Sequence, residues 1–223
     1  HRLWQACCTA SSCRPPLLEG APGAGLREFA CELIETGMTQ TGAWPARDQF
    51  DLILQWSEAG KAWLDLSSHV AAVRCLTRSS SAWDTYLQDG KACETSEADA
   101  DRLWEASLQA QLWMATALMR SERFDQAFMA LSKVASMLKE NETLASVSMG
   151  LFLRTCREQA EALRDRGCSR LAIDVLKLPC SASPPAAAGD GAGKGCAERR
   201  DLMRQLAQCH MDLGDHSAAA VGA

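Results

Sequence analysis

The residues able to carry chemistry in this chain are few, and their spacing decides what they can do. Gly189-Asp190-Gly191-Ala192-Gly193-Lys194-Gly195 invites a phosphate-binding reading, because a glycine-rich loop ahead of a helix can cradle phosphates with its backbone N–H groups. That loop requires G-x-x-x-x-G-K-[ST]. Here Ala188 stands five residues before Gly193, and Gly195 replaces the magnesium-holding hydroxyl. Val175-Leu176-Lys177-Leu178 is a short apolar run, but a Pro/Ala-rich stretch separates it from the glycines, so no strand enters the loop directly. The segment reads as a linker. His69 and His216 fall where helices resume after turns and read as packing residues. Cys209, His210 and His216 could touch one metal, but no second ligand cluster has zinc spacing. Asp99 and Asp101 lie at a helix start, where negative charge suits the helix dipole. No G-x-S-x-G elbow or H-E-x-x-H motif occurs. The expectation is a chain without catalysis, cofactor, metal or small-molecule substrate.

Composition narrows the classes further. The 23 Lys and Arg against 28 Asp and Glu give a net charge of -5, which disfavours direct nucleic-acid binding. No run of eighteen apolar residues is free of charge, so no membrane span is expected. The 11 cysteines form no C-x-x-C pair, are odd in number and follow no secretory signal, which points to free thiols in a reducing, intracellular compartment. The chain opens on His1 and its last residues read as the start of a helix, so it is expected to be a piece of something longer.

The elements that must position any site are helical. Ala, Leu, Glu, Gln, Arg and Met dominate, and apolar residues recur at helical spacing. Leu103, Trp104, Leu108, Leu112, Ala115 and Met119 form one stripe; Phe124, Ala127, Phe128, Leu131, Val134, Ala135 and Leu138 form another. The short link Arg120–Arg123 between them requires antiparallel packing. Helices are predicted at 26–37, 47–66, 69–88, 97–121, 124–140, 142–166, 169–178 and 197–213, with breaks over 14–25 and at Gly42-Ala43-Trp44-Pro45. Residues 1–46 form an N-terminal segment of helices and Pro/Gly loops, read as a partial repeat. Residues 47–178 form helical repeats, 179–196 a disordered low-complexity insertion, and 197–223 a truncated further repeat.

The repeat is carried by small residues. Ala72, Ala127, Ala172 and Ala219 follow turns, and twelve residues before them stand Gly60, Ala115, Ala160 and Ala207. Only Gly or Ala at such places lets two helix backbones approach, while larger neighbours such as Leu76, Leu131 and Leu176 fill the grooves. Trp63, Leu118, Leu163 and His210 share a further register, and the turns carry Ser67, Glu122, Gly167 and Gly214 at one offset. Trp56-x2-Ala59-Gly60-x2-Trp63-x8-Ala72-x3-Leu76 resembles the tetratricopeptide (TPR) pattern W-x2-L-G-x2-Y…A-x3-F. Ala59 replaces the usual Leu, Ser79 the final Ala, and Gln111, Cys156 and Met203 the Trp of later copies. The anchoring alanines are 55, 45 and 47 residues apart. The resemblance implies an all-α, TPR-like α-α superhelix (solenoid) of antiparallel hairpins with long helices.

Within that class, Gly60-Lys61-Ala62-Trp63-Leu64-Asp65-Leu66, the long repeats and the acidic balance resemble the meiotic TPR scaffolds of the synapsis-initiation (ZMM) group. Such a resemblance implies a nuclear, chromosome-associated scaffold that binds other recombination proteins and promotes crossover formation and synapsis. A general cytoplasmic TPR adaptor is the alternative, and a nucleotide-binding enzyme segment a more distant one. Chaperone-binding TPRs hold a terminal carboxylate with Lys and Asn; the one Asn here, Asn141, lies outside the concave positions. The resemblance places Lys61, Leu64, Asp65, Leu112, Thr116, Met119, Arg120, Arg154, Arg157, Glu161 and Arg164 on the concave surface. Three of these arginines at helical spacing suit either an acidic peptide or a solvated face with a pair such as Arg157–Glu161. Leu112 and Met119 suit the groove or the core.

Overall fold

The computed structural model describes residues 20–41, 46–89, 96–182 and 193–214. Among them the chain is all-α, with no strand. The helices are α1 (Ala21–Thr41), α2 (Ala46–Asp65), α3 (His69–Gln88), α4 (Glu97–Arg120), α5 (Phe124–Glu140), α6 (Glu142–Asp165), α7 (Ser169–Ala182) and α8 (Gly193–Asp212). No helix among the described residues is long and apolar enough to cross a membrane.

Five of the eight, α2 to α6, follow the sequence expectation to within a residue at each end, and α1, α7 and α8 are longer than expected. Two departures have physical reasons. The loop expected over 14–25 gives way to helix at Ala21, because Pro22 sits in the first turn, where its missing N–H would have had no intrahelical acceptor. The insertion expected from 179 begins later, because α7 runs through buried Pro179 to Ala182. Ser181 Oγ donates to the Leu178 carbonyl at 2.8 Å and so caps part of the disturbed last turn. At the far side of the insertion, 193–196 already belong to α8, while 183–192 lie outside the described residues.

The chain divides into two compact units, His1–Ala127 and Phe128–Ala223. In the first unit α2 and α3 form an antiparallel hairpin, α1 packs on α2, and α4 packs against both α2 and α3. Its core holds Leu52, Trp56, Ala59, Cys31 and Cys75 in one cluster. Phe50, Ile53, Trp83, Tyr86 and Leu103 form another. In the second unit α6 and α7 form the hairpin, and α8 packs against both.

Four helices, α2, α4, α6 and α8, end in one way. Ser67, Glu122, Gly167 and Gly214 all have left-handed backbone, with φ of 59°, 60°, 76° and 75°. Their N–H groups donate three residues back, to Leu64, Met119, Arg164 and Met211. The next N–H reaches five residues back in three of them: Ser68 to Trp63, Arg123 to Leu118 and Cys168 to Leu163, at 2.8–2.9 Å. This closing turn satisfies the last carbonyls of the helix. Residues 65–80 and 165–180 also alternate between buried and exposed in the same order.

Candidate functional site

The most chemically specific arrangement is on the first hairpin. Trp56 and Trp63 are seven apart on α2 and share a face; Arg74 and Arg78 are four apart on α3 and share another. Glu28 and Glu35, seven apart on α1, meet both pairs. Trp63 Nε1 donates to Glu28 Oε2 at 3.0 Å, and Arg74 Nε donates to Glu28 Oε1 at 2.7 Å. One helical repeat along, Trp56 Nε1 donates to Glu35 Oε1 at 2.7 Å and Arg78 Nη1 to Glu35 Oε2 at 2.8 Å. Each carboxylate thus receives an indole N–H and a guanidinium. The Arg78 guanidinium also lies 5.0 Å from the Trp56 ring centroid, a cation–π contact.

Between the two rungs sit Cys31, Ala59 and Cys75, all fully buried. Small side chains there allow three helices to approach. Glu28 holds the Arg74 guanidinium above its ordinary pKa through their hydrogen bond. Burial, reinforced by the Glu28 carboxylate, pushes the Cys75 thiol up to about 12, so it stays protonated and unreactive. The sequence reading missed Glu28, Glu35, Arg74 and Arg78. The matched Glu-x6-Glu and Trp-x6-Trp spacings were the available signal.

The same hairpin carries the small-residue register. A methyl group added at Gly60 would lie 2.4 Å from Leu76 Cγ, so the leucine occupies the space a side chain would need. Ala72, Ala115, Ala127, Ala160 and Ala172 are buried to within one per cent of complete. Ala207 is half-buried, and Ala219 lies outside the described residues. Trp63 is half-buried and turned to α1. Ser79, where the repeat pattern has Ala, lies 2.8 Å from Ser57 Oγ, and the two hydroxyl protons are shared between that contact and the Ile53 carbonyl, which lies 3.0 and 3.1 Å from the two oxygens. Gln111, in place of a repeat Trp, is buried and donates to Ser80 Oγ at 2.7 Å.

Most residues expected on an open concave face are engaged. Lys61 pairs with Asp65 and lies 5.9 Å from the Trp113 ring centroid. Arg164 Nε donates to Asp212 Oδ2 at 3.0 Å, and Arg157 faces Asp201 at 4.0 Å. Glu161 accepts from Gln205 Nε2 at 2.8 Å, so the Arg157–Glu161 pair is replaced by contacts from α6 to α8. Bonds from Gln208 and Arg164 hold the Asp212 carboxyl below its ordinary range. Arg120 and Arg154 are exposed. Met119, Leu64 and Leu112 are not surface groups: all three are buried, because the last turns of α2 and α4 press their apolar side into the core.

Two contacts share a register across the units. Lys61 and Trp113 stand one after Gly60 and two before Ala115; Glu161 and Gln205 stand one after Ala160 and two before Ala207. The rung positions do not share their chemistry. Counted from Ser67 and Gly167, Trp56, Trp63, Arg74 and Arg78 correspond to Cys156, Leu163, Asp174 and Leu178.

The remaining candidates are placed as follows. Asn141 caps α6, its side chain accepting the Leu144 N–H at 3.3 Å. Asp99 is in the first turn of α4 and exchanges hydrogen bonds with the cap Ser96. His69 opens α3 half-buried, and Cys209 is buried on α8. His216 and Gly189 to Ala192 lie outside the described residues, and Gly193 to Gly195 open α8. Among the described residues no group of three or more His, Cys, Asp or Glu could hold a metal ion. No protein-family model matches the chain, and a search of curated proteins returns no match.

Proposed function

We propose that this chain is a protein-interaction scaffold built from TPR-like hairpins, acting by binding other proteins and without catalysis of its own. The observation that carries the reading is the fourfold turn. Left-handed closure recurs at Ser67, Glu122, Gly167 and Gly214, spaced 55, 45 and 47 residues apart. That is the spacing of the small-residue register. Two of the four residues are not glycine, so residue type alone does not account for the recurrence. The paired contacts of Lys61 with Trp113 and Glu161 with Gln205 support one stacking rule for successive first helices. Continued along the chain, that rule builds the open superhelix of a repeat scaffold.

The sharper form of the proposal is a nuclear, chromosome-associated scaffold of meiotic crossover formation and synapsis, resting on the Gly60–Leu66 segment and the long repeats. Affinity purification of the full-length protein from meiotic and somatic cells tests both levels. Recombination proteins recovered from meiotic cells, with fewer chiasmata in a loss-of-function mutant, are the expected result. Expression confined to vegetative cells with normal chiasmata would retire the meiotic form and leave an intracellular adaptor. A preparation that binds nucleotide and loses it on Lys194→Ala would overturn the non-enzymatic reading.

A further inference from the structure

The first hairpin reads a helix, and α1 is the helix it reads. Three features set α1 apart from its neighbours. It contains Gly23, Gly25 and Gly37, each costing about 1 kcal/mol of helix propensity relative to Ala, so it is a poor helix by itself. Among the described residues, none of the largest fully buried side chains belongs to it: its deepest apolar residues are Ala24, Ala30 and Cys31, and its Phe29 is 50% exposed. Beside Cys31 and Ile34 in the first core cluster and the Arg27–Glu58 ion pair, it is held by the pair of carboxylate clamps, Glu28 with Trp63 and Arg74, Glu35 with Trp56 and Arg78. Those clamps lie partly in solvent, with the Arg74 and Arg78 side chains 55% and 40% exposed. A glycine-rich helix with only small apolar side chains fully buried, tied in part by accessible charged groups, belongs to the low-stability end of a fold.

We infer that the Trp56–Trp63–Arg74–Arg78 face is a receptor for an acidic partner helix bearing two carboxylates seven residues apart with a small residue between them, and that α1 is its resident occupant, displaced when such a helix arrives. Charge complementarity selects the occupant. Two guanidiniums and two indole N–H groups are donors only and demand anionic acceptors at that separation. The small central residues Ala59 and Cys75 demand close backbone approach. The inference rests on the scaffold reading and names one partner class for it.

The test uses the full chain. Hydrogen exchange of residues 21–41 is followed in the wild type and in Glu28→Gln/Glu35→Gln, with protection of 97–120 as the check that the unit remains folded. Loss of the two charge-assisted clamps is expected to speed exchange of 21–41 by about tenfold or more, and rising salt should speed it in the wild type. A labelled peptide of residues 21–41 should then bind the double variant, bind the wild type more weakly, and lose binding when its Glu28 and Glu35, though not Glu32, are replaced by glutamine. Arg74→Gln/Arg78→Gln, which leaves α1 unaltered, should abolish peptide capture.

Exchange of 21–41 as slow in both variants as in the wild type, with no peptide uptake, would make α1 a permanent part of the core. Peptide uptake indifferent to its glutamates would remove the charge reading. A wild-type dimer that exchanges α1 between copies would replace the foreign partner with self-association. Each of these leaves recovery of partners through other surfaces intact, so the scaffold reading fails or stands separately.

Discussion

Ser67 and Glu122 hold left-handed backbone that side chains resist by about 1 kcal/mol, and nothing else in their turns requires a side chain. Ser67→Gly and Glu122→Gly should each stabilise the protein by about 0.5–1 kcal/mol, read as a higher urea midpoint with unchanged slope. Gly60 is the converse. Gly60→Ala drives a methyl into Leu76 and should destabilise by about 1–3 kcal/mol, with part of the loss recovered when Leu76 is shortened to Val. Thiol chemistry divides in the same residue-by-residue way. Cys31, Cys75, Cys156 and Cys209 are buried, and burial raises the last three above the ordinary thiol range; Cys168 and Cys180 are half-buried. Site-resolved alkylation at mildly alkaline pH should label Cys168 and Cys180 well before the other four. The small residues were readable beforehand because helix crossing allows little else there. The polar partners of Trp56 and Trp63 were not: the helix predicted over 26–37 contains both Glu28 and Glu35, but only the packing of α1 on α2 brings them to the indoles.

Helices were legible where one face is apolar and a turn residue marks the end, as in α3 and α5, whose bounds agree with the expectation. They were less legible where tertiary contact overrides local preference. α1 starts earlier than its sequence suggests because Pro22 fits the first turn, and α7 passes Pro179, whose ring is buried. The arginine stripe of α6 shows a third kind of limit. Spacing revealed a cationic face, but only the fold reveals that Asp201 and Asp212 of α8 already meet Arg157 and Arg164. That contact predicts a pH response. Asp212 has a depressed folded pKa, so its contribution to α8 docking is complete above the ordinary carboxylate range, near 4, and is lost as pH falls through the folded value. Hydrogen exchange of residues 200–212, corrected for intrinsic rate, should accelerate across that acid window, and Asp212→Asn should remove most of the acceleration.

For the whole molecule, the two hairpins share a turn and an exposure pattern over 65–80 and 165–180, yet where the first has Trp56, Trp63, Arg74 and Arg78 the second has Cys156, Leu163, Asp174 and Leu178. The guanidinium of Arg74 has become a carboxylate at Asp174, and both indole donors are gone. A flexible ligand carrying the acidic motif twice in tandem would therefore gain no avidity: its second copy would find no equivalent berth, and its titration should follow single-site saturation with the affinity of one motif. If the proposed scaffold function holds, sameness of shape without sameness of chemistry suits gathering unlike ligands rather than gripping a repetitive one.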